Sequence, residues 1–170
     1  MKKDPALKFA MIAIMFTIVW TLIEHYLGFN TVNHQTGQYT RLVTAIVYYS
    51  LVILTIWTKR RRQGNTLSLS EGLRSGSAIS FLYAIMATVW FAIYAEWINK
   101  DFQSSLLAFE RSNLEATHAS QEFIASKMKQ FQLMSGGSFI SYLILFAFLT
   151  LAGFVVSVIA TLVLRRRNPA

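Results

Sequence analysis

The chain has 170 residues, of which 54% are hydrophobic and none is cysteine, and its formal net charge is +8. That length suits one bundle with no second soluble domain, and the missing cysteines exclude disulfides, thiolate catalysis and cysteine-ligated metal centres. The positive excess would suit nucleic acid only if it were spread or patched; here it collects around the ends of long apolar runs.

Lys8 and Glu24 enclose 15 uncharged residues, the first such run. A bilayer core about 30 Å thick needs roughly 20 apolar residues of helix, with about 17 at the lower end. A first span is therefore expected over about 9–27. Lys2 and Lys3 precede it as in a signal peptide, but the exit Glu24-His25-Tyr26-Leu27 offers no small-x-small cleavage site. It reads as an uncleaved span, and neither end carries a lipidation motif. A polar turn without helical periodicity follows, from Gly28 to Thr40.

Span 2 is expected over 42–58, where 17 uncharged residues separate Arg41 from Lys59. It is the shortest span, and Arg41 and Lys59 can snorkel to cover its ends. The loop beyond it opens with Lys59-Arg60-Arg61-Arg62 and turns at Gly64-Asn65. Ser68 or Ser70 is positioned to cap a helix starting near Glu71, whose charge complements the helix dipole. That helix continues into span 3, about 76–97, with 21 uncharged residues between Arg74 and Glu96.

The segment 99–137 is the one sizeable extramembrane piece. Phe102, Leu106 and Phe109 recur at helical spacing, so its first half is expected to be helical. Ser120 can cap a second helix, with Ile124, Met128, Phe131 and Met134 in a stripe and Gly136-Gly137 as its stop. The pair either caps the bundle or lies on the outer leaflet. Span 4 is expected over 139–164, inside a stretch from Gln130 to Leu164 with no charged residue.

The expected fold is an all-α integral membrane protein: four transmembrane helices with a helical outer segment between spans 3 and 4. Eleven basic residues lie on the side of the two termini and the loop after span 2, against Asp4 and Glu71, while the other side is nearly balanced. Basic flanks stay cytoplasmic during insertion. Both termini are therefore expected in the cytoplasm of a bacterium, with the protein multi-pass in its inner membrane.

Three features are candidate sites. In span 3, Gly72, Gly76, Ser80 and Ala84 form a row of small residues, continued by Thr88 and Ala92, and Gly153 and Ser157 form a shorter one in span 4. Membrane helices gain from close backbone approach, which small residues permit. The rows are read first as internal packing and second as a homodimer seam. Lys59, Arg60, Arg61, Arg62 and Arg74 are candidates for an anionic lipid headgroup, although topology alone produces the same cluster. Glu24, His25 and Glu96 leave the membrane at similar depth and form a candidate polar outer cluster. The plainer reading is three interfacial side chains in reach of water.

No His pair stands at metal-ligand spacing, no phosphate-cradling loop is present, and no cofactor is implied. The prolines, Pro5 and Pro169, are terminal, so no span is broken as in transporters with midplane ion sites. The expected function is a non-catalytic scaffold or regulatory subunit of a larger membrane complex, with the bilayer and a membrane-protein partner or second copy as its contacts. The alternative is a small transporter or channel with a polar path through Thr44, Tyr48, Ser80 and Thr88. A third is an outer-leaflet lipid-modifying enzyme using Glu24, His25 and Glu96.

Several local motifs run in one order along the whole chain. Ala6-Leu7-Lys8 opens span 1, and Leu67-Ser68-Leu69-Ser70-Glu71-Gly72-Leu73-Arg74-Ser75-Gly76 opens span 3. Asn99-Lys100-Asp101-Phe102 follows span 3, and Gly153 with Ser157 precedes the basic tail. In these the chain resembles an uncharacterised, domain-of-unknown-function family of four-span inner-membrane proteins common in Bacteroidetes. A proline often stands before the Asp-Phe pair in that family, where this chain has Lys100. The resemblance implies architecture and location but no activity.

Overall fold

A computed structural model describes residues 4–134 and 137–165. Lys2, Lys3, Gly136, Arg166 and Arg167 lie outside the described residues, as does the side chain of Met134. Six α-helices and one π-helical turn account for nearly all of the structure, with no strand among the described residues. They are α1 (Ala6–Tyr26), α2 (His34–Arg62), α3 (Leu69–Ile93), the π-helical turn Tyr94–Ile98, α4 (Phe102–Ala116), α5 (Gln121–Met134) and α6 (Phe139–Leu164). Four helices are long and apolar enough to cross a membrane: α1, α2, α3 with its π-turn, and α6. Their outward faces, Phe148, Leu151 and Val163 among them, stay exposed and apolar, as lipid contact requires. The protein is a multi-pass membrane protein.

Local chemistry sets the helix starts. Ser68 caps α3 through its hydroxyl, which accepts from the Glu71 amide at 3.2 Å, while Glu71 Oε2 accepts from the Ser68 amide at 3.0 Å. This reciprocal box satisfies two otherwise free amides. Ser138 caps α6 by accepting from the Ser141 amide at 3.1 Å. Ser120 accepts from the Phe123 amide at 3.3 Å at the head of α5.

The polar turn expected over Gly28 to Thr40 is shorter than its sequence implied. Asn33 accepts from the Thr36 amide at 3.2 Å and starts α2 at His34, eight residues before the apolar run begins. His34 to Arg41 thus form a helical extension of α2 that reaches α4, where His34 Nε2 lies 3.0 Å from Ser105 Oγ. Gly37 permits this, because a Cβ there would collide with the carbonyl of Phe29.

The most extensive helix interface lies between α3 and α6, and α2 and α3 each pack against both α1 and α6. The shared core holds Ala10 and Ala13 of α1, Val52 and Ile56 of α2, Ile79 and Tyr83 of α3, and Ala160 of α6. Tyr48 and Tyr83 stack with ring centroids 4.1 Å apart. Such a pair contributes about 0.5–1.5 kcal/mol beyond its buried area. Helices α4 and α5 pack on each other, and α5 reaches α6.

Candidate functional site

The small-residue rows meet across the α3–α6 interface. A Cβ on Gly72 would strike Thr161, one on Gly76 would strike Ser157, and one on Gly153 would strike Tyr48 and Ser80. Ser80 donates back to the Gly76 carbonyl at 2.8 Å and Ser157 to the Gly153 carbonyl at 2.7 Å. Both hydroxyls are therefore satisfied within their own helices, and the seam is held by close packing. Ala84 is fully buried on the same helix.

At the basic end, Lys59 forms an ion pair of 2.9 Å with Asp4, and Arg60 donates to the Asn65 carbonyl at 3.3 Å. The Arg61 guanidinium stacks 4.1 Å over the Trp57 ring. Arg62 also has an interaction within the chain, and Arg74 is exposed. Lys59, Arg60 and Arg61 thus each have a partner within the protein.

The three residues grouped as an outer polar cluster each have a different hydrogen-bond partner. Glu96 is exposed and accepts from the Tyr142 hydroxyl at 2.6 Å. His25 Nδ1 lies 3.1 Å from the Tyr94 hydroxyl. Glu24, expected within reach of water, is only 3% exposed. Its Oε1 accepts from Trp20 Nε1 at 3.0 Å and its Oε2 from Asn30 Nδ2 at 3.2 Å. The turn between α1 and α2 folds over it and removes it from solvent.

Glu24 instead belongs to a cavity of about 280 Å³ in the half of the bundle away from the basic cluster. Helix α1 contributes Thr17, Thr21 and Glu24, the following turn Asn30, and α2 Arg41 and Thr44. Tyr83, Ala87, Trp90 and Phe91 come from α3, Tyr94 from the π-turn, Phe102 from α4, and Leu145 and Leu149 from α6. The π-turn shapes its roof. The Asn99 amide closes onto the Tyr94 carbonyl at 2.7 Å, and the Asn99 side chain donates to the Asn30 carbonyl at 2.8 Å and the Tyr94 hydroxyl at 3.1 Å. Turns of this kind insert one residue into a helix and redirect the side chains beyond it.

Arg41, expected to snorkel outward, points into this cavity. Its guanidinium donates to His34 Nδ1 at 3.4 Å and lies 5.6 Å from the centre of the Phe102 ring. An arginine can only donate, so His34 Nδ1 accepts and its Nε2 carries the proton given to Ser105 Oγ at 3.0 Å. This chain ties α2 to α4. Among the described residues, the ion pairs within 4.0 Å are Lys59–Asp4 and Arg111–Glu115, so Arg41 and Glu24 share the cavity without pairing. Arg41 Nε, Trp90 Nε1 and Asn30 Oδ1 are buried and have no hydrogen-bond partner in the protein.

Sequence reasoning missed Arg41 and Asn30 as site residues. The available signal was Asn33, a good N-cap three residues before Thr36, which would have drawn Arg41 into a helix rather than onto a flank. Of the proposed polar path, only Thr44 lines the cavity. Tyr48 and Ser80 are buried against Gly153, and Tyr48 donates to the Leu149 carbonyl at 3.2 Å. Among the described residues, no three His, Asp or Glu side chains converge on a metal position.

Comparison with known proteins adds the family. Residues 8–166 match a family described as "Protein of unknown function (DUF4199)", and the chain belongs to it. No curated protein and no solved structure matches the chain significantly.

Proposed function

On the premise of that membership, we propose that this is a non-catalytic protein of the bacterial inner membrane that scaffolds or regulates a larger membrane complex. Both termini are placed in the cytoplasm, because the basic residues gather at the end where α1 begins and α2 and α6 finish. The closed centre of the bundle is the observation that carries the functional reading. A transport path through Tyr48 and Ser80 would have to cross the α3–α6 seam, where those side chains meet Gly153. Lipid-modifying chemistry would need Glu24, His25 and Glu96 in one place, and each has a different partner.

The outer ends of the helices leave Tyr26, Val32 and Trp97 strongly exposed, at the level where another membrane protein can reach them. Affinity purification in mild detergent, with mass spectrometry of co-purifying proteins, tests this reading. A stoichiometric membrane-protein partner is expected. Isolation of the chain alone, together with substrate flux in proteoliposomes, would replace the reading with transport.

A further inference from the structure

We propose that the cavity between Glu24 and Arg41 is a binding site for a small zwitterion, with an ammonium and an acidic anion a few ångströms apart on an apolar body. The site is independent of any partner protein. Its charges carry the inference. The buried Glu24 carboxyl and the half-buried Arg41 guanidinium, whose Nε is fully buried, face one cavity, yet no ion pair within 4.0 Å joins them. Leaving such charges apart in a low-dielectric setting forfeits their attraction. A ligand carrying the opposite pair of charges restores it and adds no net charge to the bundle.

The unpaired atoms match the same ligand. The Asn30 amide nitrogen donates to Glu24 Oε2, which leaves Asn30 Oδ1 without a partner beside the Glu24 carboxyl. An ammonium donates to both. Arg41 Nε and Trp90 Nε1 are the two unpaired donors in the lining, and a carboxylate or phosphate oxygen accepts from them. An anion without an ammonium would sit against Glu24 uncompensated, and a cation without an anion would leave the donors unpaired. The apolar body lies against Ala87, Leu145 and Leu149.

Size narrows the class. At about 30 Å³ per water-sized group, 280 Å³ accommodates about nine such groups. That suits a free amino acid with an aliphatic side chain. It also suits the ethanolamine-phosphate head of a phospholipid, which presents the same pair of charges.

The test uses the full chain in detergent, titrated calorimetrically with L-leucine, N-acetyl-L-leucine and L-leucinamide, which keep both charges, only the anion and only the cation. Native mass spectrometry from nanodiscs holding equal phosphatidylethanolamine and phosphatidylglycerol forms the second arm. Saturable leucine binding, weakened by about tenfold or more in both analogues, identifies a free zwitterion. Retention of phosphatidylethanolamine over phosphatidylglycerol, without leucine binding, identifies the headgroup. Equal binding of leucine and a singly charged analogue overturns the proposal, as does no binding in either arm. Glu24→Gln should abolish discrimination against N-acetyl-leucine, and Arg41→Gln discrimination against leucinamide. Should either variant fail to fold, the analogue series on the unaltered chain decides alone. Failure of this site would leave the co-purification result, and hence the partner reading, untouched.

Discussion

The Ser157 side chain occupies the place that a Cβ on Gly76 would need. Two helices far apart in sequence therefore touch almost backbone to backbone. Gly76→Leu should lower stability by about 1–3 kcal/mol, the range of overpacking. Leu82→Ile, on the same helix and half-buried, conserves volume and should cost less than about 1.5 kcal/mol. Size-exclusion profiles after heating in detergent separate the two. Equal melting would show that α3 and α6 part readily at this point.

Asp4 predicts a pH dependence. Burial raises its carboxyl pKa, but the Lys59 ammonium, the Ala6 amide and the Ser75 hydroxyl together hold it below the ordinary value. A depressed carboxylate stabilises the fold fully above its unfolded pKa, about 3.9, and loses that contribution as pH falls through the folded value. The group is largely exposed, so the effect should be under about 1 kcal/mol. Asp4→Asn should therefore flatten the acid limb of the melting curve below about pH 4. At pH 7 it should cost the same small amount.

Tyr94→Phe should loosen the roof of the cavity. It removes the acceptor for Asn99 Nδ2 and the partner of His25 Nδ1, both 3.1 Å away. A buried polar group left without its partner costs about 1–3 kcal/mol. Hydrogen exchange should quicken selectively at the turn 28–33 and around 94–102. Unchanged protection there would mean that other contacts hold the π-turn.

Sidedness is expected to place Ser120 outside and the tail after α6 inside. An alkaline-phosphatase fusion at Ser120 should be active, and a fluorescent-protein fusion after Arg167 should glow. The reverse pattern at either position overturns the assigned orientation.

The helix expected over about 139–164 coincides with α6, Phe139–Leu164, because Ser138 caps its start and Arg165 follows its end. The start of α3 was legible to within two residues from the two candidate caps, Ser68 and Ser70, of which Ser68 caps the helix at Leu69 and closes a capping box with Glu71. The start of α2 was not, since His34 to Thr40 are polar and their helicity depends on a cap and on Gly37 fitting under Phe29. The candidate site was only half visible. Glu24 drew notice as a charge near the membrane, but its burial comes from Asn30 folding back, a tertiary event that periodicity does not report. Glu96 fell away for a similar reason: beyond the π-turn it faces Tyr142 and not α1.

The back-bonded hydroxyls of the α3–α6 seam bear on the order of assembly. About 45 residues separate the end of α3 from the start of α6. At roughly 5–20 residues per second of synthesis, α3 waits some seconds in the bilayer before its main partner exists. An unpartnered serine facing lipid would be costly during that wait. Because Ser80 already donates to Gly76, and Ser157 will arrive donating to Gly153, these two serines need no partner from the other helix. At these two positions the late docking of α6 needs no exchange of hydrogen bonds, only close surfaces meeting.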